Sequence, residues 1–134
     1  MTIRVWNENS MIMASEPFET DLTALDWAPN GQFLVAGDRN GMVHLIEADS
    51  LEKLGSPAPS SLANKPNAWI EDIKISPDSK MVAFGTHGGL SKIDLFKVEG
   101  GNKLTKFAAV DIKISSAVIH LDWSTDSRFL VVNS

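Results

Sequence analysis

The 134-residue chain contains no cysteine, which excludes a disulfide framework, a thiolate metal site and a cysteine nucleophile. No stretch approaches the roughly 18 uninterrupted apolar residues of a membrane span, and MTIRVWNEN at the start lacks the apolar core of a signal peptide. There is no Asn-x-Ser/Thr sequon to argue for secretion. A cytoplasmic location, away from membranes, is therefore expected. Basic residues are scarce in the first half: residues 1–67 hold four Lys/Arg against nine Asp/Glu, whereas 68–134 hold eight of each, so the net charge of −5 arises in the first half. Phosphate binding is driven by clustered Lys and Arg, and with no cluster present nucleic acid is not an expected partner. Convincing amphipathic helices are missing too. Ser50-Leu51-Glu52-Lys53-Leu54 could form one turn, but Gly55, Pro57 and Pro59 would end it.

What is present is a repeat. LDWAPNGQFLVAGD at 25–38, IKISPDSKMVAFGT at 73–86 and LDWSTDSRFLVVNS at 121–134 align without gaps at an offset of 48 residues. Each has alternating apolar positions, a polar turn and then a continuous apolar run. Leu25 and Trp27, Ile73 and Ile75, and Leu121 and Trp123 share one side of a strand, because side chains two apart face the same way. The turns Pro29-Asn30-Gly31, Pro77-Asp78-Ser79 and Thr125-Asp126-Ser127 use residues that preset φ or bond locally to the backbone. The runs Phe33–Ala36, Met81–Phe84 and Phe129–Val132 are too short for helices and, being apolar at every position, predict strands covered on both faces.

Further strands lie between these blocks. Asn40-Gly41 predicts a type I′ hairpin joining Phe33–Asp38 to Met42–Glu47, and His87-Gly88-Gly89 plays the same part before Lys92–Val98. Thr2–Trp6 reads as the matching third strand of an earlier unit. Lys103–Ile112 reads as a polar outer strand, with Met11–Ala14 and a stretch near Leu51–Leu54 as its equivalents. The Pro/Ser/Asn-rich stretch from Gly55 to Asn67 is expected to be the longest loop and the one that faces a partner. Four antiparallel strands per unit, repeated at just under fifty residues, with a strand buried on both faces, is the pattern of β-propeller blades stacked face to face.

At Trp6, in TIRVWN, and in the turns above, the chain resembles WD-repeat propellers, whose third strand ends in an aromatic followed by an acidic residue. Ile46-Glu47 and Phe96-Lys97 stand at that dipeptide, Asn40 and Gly88 near the turn aspartate, and Pro17-Phe18 and Lys113-Ile114 near the family's Gly-His. The resemblance narrows in WIEDIKISPDSKMVAFGTHGG and SSAVIHLDWSTDSRFLVVNS, over about residues 69–134. These look like the C-terminal propeller region of the echinoderm microtubule-associated protein-like family, through Ser115, Ser116, His120, Leu121, Asp122, Trp123 and Ser124, with Gly85 and His87 earlier. The resemblance implies tandem propellers that bind tubulin or microtubules, and with them a place on the cytoskeleton.

The expected fold is thus all-β, a WD-repeat-like propeller fragment of about three blades of four antiparallel strands. Residues 1–18 supply the last strands of one blade, 19–66 and 67–112 two whole blades, and 113–134 the first strands of another. Three blades are fewer than the four to eight of a closed ring. The chain is accordingly expected either to be a piece of a longer propeller or to form a homodimer that closes a six-bladed ring, with Ile3, Val5, Trp6, Phe129 and Val131 at the self-association edges.

Chemistry is expected to be binding rather than catalysis, with no cofactor and no metal. His120-Leu121-Asp122 puts an imidazole and a carboxylate on one strand face, and His87-Gly88-Gly89 faintly resembles an oxyanion-hole loop, which would be the start of a propeller hydrolase. No nucleophile elbow, metal triad or phosphate loop accompanies them, and His44 reads as isolated on its strand. Trp27 and Trp123 recur at blade period and read as core. By analogy with propellers in general, a protein partner, microtubules or another, would meet the hairpin loops at one end of the blades, near Arg39, Asn64, Lys65 and His87.

Overall fold

The computed structural model describes residues 1–87, 92–111 and 120–133. Gly88 and Gly89 of the second predicted hairpin, and Ile112, Lys113, Ile114, Ser115 and Ser116, lie outside the described residues. Among the described residues there are twelve strands and no helix. They are β1 (Arg4–Trp6), β2 (Met11–Ala14), β3 (Leu22–Trp27), β4 (Phe33–Asp38), β5 (Met42–Glu47) and β6 (Lys53–Pro59), then β7 (Ile70–Ile75), β8 (Met81–Thr86), β9 (Lys92–Glu99), β10 (Lys103–Asp111), β11 (His120–Trp123) and β12 (Leu130–Asn133). Four antiparallel sheets result: β1-β2, β3-β4-β5-β6, β7-β8-β9-β10 and β11-β12. The two four-stranded sheets are the blades that the repeat predicts.

Why the second strand of each blade is apolar throughout is visible in the packing. Phe33 and Val35 of β4 face β7 and β8, in a core with Ile70, Ile73, Ile75, Val82, Phe84 and Phe96. Leu34 and Ala36, one residue out of phase, face β1 and β2 with Ile3, Phe18, Val5 and Met13. On the far side of the second blade Ala83 and Ile93 pack against Leu121, Trp123, Leu130 and Val132. Each seam between sheets is therefore a core of its own.

Polar bonds repeat across the seams at an offset of 49 residues. Asn30 N–H donates to Ser79 Oγ and Asp78 N–H to Ser127 Oγ, both at 3.1 Å, which links the turns of successive sheets. The first strand of each sheet has one unpaired edge, and a carboxylate from the preceding blade takes up an amide there: Ile75 N–H donates to Asp26 at 2.7 Å and Leu121 N–H to Asp72 at 2.8 Å. Matching bulges at Leu22/Ala24 and Ile70/Asp72 bend both of these first strands in the same place.

Two local expectations are corrected. The β4–β5 connection is a three-residue loop, Arg39-Asn40-Gly41, in which only Gly41 has positive φ (+76°), so it is not the two-residue type I′ turn. Gly41 N–H donates to Asp38 O, which is the form of a tight turn followed by one left-handed residue. The supposed loop from Gly55 onward begins as strand: β6 runs through Pro57 to Pro59, pairs only with β5 among the described residues, and bulges between its Leu54 and Ala58 pairings. Proline is tolerated because β6 is an edge strand, where a missing N–H leaves no ladder bond unmade.

Candidate functional site

The β4–β5 turn, the β6–β7 loop and the end of β8 meet at one end of the two blades, since Met42 pairs with Pro59 and Ile70 with Thr86. Arg39, Asn64, Lys65 and His87 all fall there. Asn64 N–H donates to Asn40 O and Ser60 N–H to Gly41 O, both at 2.9 Å, so the loop is laced to the turn by backbone bonds. Arg39 N–H donates to Asp21 O at 2.9 Å, which ties the same turn to the segment entering β3. The loop itself is a run of tight turns, with Ala63 N–H to Ser60 O, Lys65 N–H to Leu62 O and Ala68 N–H to Lys65 O. Asn64 and Asn67 supply its left-handed residues, at φ of +61° and +60°, a conformation asparagine tolerates better than most side chains.

His87 is held from both sides. Its N–H donates to Trp69 O at 2.9 Å, and its ring stacks on the Trp69 indole at 4.1 Å between centroids with 9° between planes. Trp69 Nε1–H donates to Glu71 Oε2 at 2.6 Å, and the same oxygen lies 3.9 Å from His87 Nδ1. An aromatic pair and a carboxylate thus form a half-exposed ledge beside the loop that carries Asn64 and Lys65.

Under this end sit two buried carboxylates that anchor it. Asp38 is buried; its Oδ1 accepts the amides of Asn40 and Met42, and its Oδ2 lies 2.8 Å from His44 Nε2. Burial alone would raise its pKa, but the bond to His44 and the amides of Met42 and Asn40 outweigh burial and hold it below the usual carboxylate range. Asp38 therefore shapes this turn, and His44 is paired rather than isolated, with its ring T-shaped to Phe18 at 5.3 Å between centroids. In the other blade Asp94 is fully buried and accepts the Ser61 amide at 2.9 Å and the Ser61 hydroxyl, with Lys106 Nζ 3.3 Å away. It pins the start of the β6–β7 loop to β9. Neither anchor was legible in the sequence, because each joins residues whose proximity depends on the turn or on the neighbouring blade. A cleft of about 500 Å³ opens beside Asp38 and His44, lined also by Phe18, Met42 and Lys53.

The strand-face pair of the sequence reading is not formed. His120 Nδ1 lies 4.0 Å from Asp72 of the preceding blade, and Asp122 Oδ1 accepts the amide of Trp123. Trp27, read as core, is half exposed, whereas Trp123 donates its indole N–H to Lys74 O at 2.9 Å across a seam. Among the described residues no three metal-ligating side chains converge. Of the proposed edge residues, Trp6, Phe129 and Val131 are exposed. Ile3 is buried, with its N–H donated to Ser15 Oγ and its carbonyl accepting Ser15 N–H, and Val5 packs into the adjoining seam.

Residues 14–47, which contain β3, β4 and β5, match the sequence family described as WD domain, G-beta repeat. Over nearly the whole chain (98%) the sequence is similar to echinoderm microtubule-associated protein-like 2 of Rattus norvegicus, at 26% identity across 134 aligned residues. It is 29% identical to echinoderm microtubule-associated protein-like 3 of Mus musculus across 117 residues, 87% of this chain, and 26% identical to the like-4 protein of Xenopus laevis across 110 residues, 81% of this chain. The chain spans 19%, 12% and 11% of those relatives respectively.

Proposed function

We propose that the chain is a non-catalytic interaction module of WD-repeat type that binds microtubules, with the end formed by the β4–β5 turn and β6–β7 loop as its contact surface. The observation that carries this reading is the similarity to microtubule-associated proteins, which runs through both whole blades rather than through one repeat. The site supports it physically. Arg39 and Lys65 are two of the four cations in residues 1–67, and both stand exposed at this end. The buried Asp38 and Asp94 anchors hold the loops that carry them, so little ordering entropy is lost on contact. A place in the cytoplasm, on the cytoskeleton, accompanies the reading, as does the division into blade units at 1–18, 19–66, 67–112 and 113–134.

Co-sedimentation with polymerised tubulin tests it. The chain is expected to pellet with microtubules in a salt-sensitive manner, and Arg39→Glu with Lys65→Glu to weaken pelleting several-fold without altering the circular dichroism spectrum. Failure of the unaltered chain to pellet at tens of micromolar tubulin overturns microtubules as the partner and leaves a scaffold for another protein.

A further inference from the structure

The sequence holds the dipeptide Ser-Pro twice, at Ser56-Pro57 and Ser76-Pro77, and the fold treats the two oppositely. Ser76 is fully buried in the turn after β7, where its hydroxyl donates to Asp78 Oδ1 at 2.6 Å and accepts the Met81 amide at 2.9 Å. Ser56 is exposed, on the outer strand β6. Leu54 pairs with Leu45 and Ala58 with Val43, so Gly55, Ser56 and Pro57 stand opposite the single residue His44. The ladder cannot hold all three, and they bulge from it, with Gly55 left-handed at φ of +66°. Pro57 and Pro59 bring no N–H to the ladder either, so this part of β6 separates from β5 at low cost.

We infer that Ser56 is a phosphorylation site for a proline-directed protein kinase, and that Lys53 and Lys103 receive its phosphate. Such kinases bind their substrate as an extended segment and take serine where proline follows, and the residue before a proline is already held extended. The hydroxyl must be accessible and the chain on either side of it must yield. Ser56 meets both conditions and Ser76 neither. ATP supplies the phosphoryl group: the bond from its γ-phosphorus to the bridging oxygen breaks, ADP leaves, Ser56 Oγ bonds to phosphorus, and the hydroxyl proton passes to the kinase's catalytic aspartate.

The surroundings suit the new group. Lys53, Ser56, Asn102 and Lys103 line one cleft of about 570 Å³ between β6 and the β9–β10 turn of the next blade. A Cβ on Gly55 would lie 3.5 Å from Asn102 O, so the bulge stands against that turn. Phosphoserine carries about −1.5 to −2 charges at neutral pH and three strong acceptor oxygens. Lys53 Nζ now donates to Pro17 O at 3.3 Å and lies over the Phe18 ring, and a doubly charged acceptor draws it from these neutral partners. Lys103 belongs to the other blade, so a phosphate held by both lysines staples two outer strands together. Neither part depends on which protein the loop end binds.

The test incubates the full chain with ATP and a kinase of the cyclin-dependent or mitogen-activated class, and maps phosphopeptides by mass spectrometry. One phosphoryl group per chain is expected at Ser56, with Ser76 unmodified and no uptake by Ser56→Ala. No uptake by the unaltered chain, or uptake at Ser76 as fast as at Ser56, overturns the site. Phosphorus NMR then reads the seat. The second ionisation of the phosphate should fall below its free value of about 6 and return to it when Lys53→Ala is combined with Lys103→Ala. Both lysines are exposed, so the double variant is expected to fold, and Glu99, opposite Lys103 in the β9–β10 ladder, is common to both chains. Ionisation at the free value in the unaltered chain, or no change on removing the lysines, overturns the lysine seat.

Discussion

His44 Nε2 and Asp38 Oδ2 lie 2.8 Å apart at the mouth of the β4–β5 turn, while Asp38 Oδ1 accepts amides from Asn40 at 2.8 Å and Met42 at 3.0 Å. One buried carboxylate thus serves three donors and shapes the turn that presents Arg39. Removing it leaves two amides and an imidazole without their acceptor in a site sheltered from water. Asp38→Ala is expected to lower stability by about 2–3 kcal/mol. Asp78 binds Ser76 Oγ and the Lys80 amide in an exposed turn, where water can replace it, so Asp78→Ala should cost about 1 kcal/mol or less. Urea denaturation of the two variants checks the order.

Acid should act through the same group and its turn counterparts. Asp78 is held below the usual carboxylate range by the Ser76 hydroxyl and, against the opposing effect of burial, the Lys80 amide, and Asp126 by the Ser124 hydroxyl and the Arg128 amide. Because folding lowers the pKa of Asp38, Asp78 and Asp126, the unfolded chain takes up protons first, at its ordinary value of about 3.9. Their stabilisation is fully present above that value and is lost as pH falls through the lowered native values. The urea midpoint should therefore drop below about pH 4, and less steeply in Asp38→Asn. Thermal or urea titration from pH 7 to pH 2.5 reads this directly.

Two glycines with the same backbone angle should answer differently to alanine. Gly31 has φ of +75° and open space where a Cβ would stand, whereas Gly41 has φ of +76° and its Cβ would lie 2.5 Å from Ala68 O and 2.9 Å from Ser60 Oγ. Gly31→Ala should cost only the left-handed penalty, about 1–2 kcal/mol. Gly41→Ala should cost more, because the β6–β7 loop must also give way, and hydrogen exchange across residues 60–68 should rise in that variant alone.

Much of the fold was legible because the blade pattern is periodic. The continuous runs at Phe33–Ala36 and Met81–Phe84 called for cover on both faces and found it, one face of each in the core they share between the blades and the other in a core beyond; the third run, Phe129–Val132, did not, since Phe129 and Val131 are exposed. The misreadings fell where a rule depends on the neighbour. Pro57 and Pro59 argue for a loop unless the strand has a vacant edge, which is a property of the sheet. His44 reads as isolated until the turn brings Asp38 to it, and His120 meets Asp72 of another blade rather than Asp122 beside it.

By itself the sequence determined the inner strands of each blade, the polar turns of the repeat and the 48-residue period, because these follow from side-chain alternation and local φ preference. Only tertiary structure decided which equivalent positions are covered. Trp27 and Trp123 are the same residue in the same repeat position, yet one faces water and the other bonds across a seam, because burial depends on what lies alongside. The loop anchors are also tertiary in origin: Asp94 reaches Ser61 across thirty-three positions of chain, a proximity that only the stacking of one blade on the next creates.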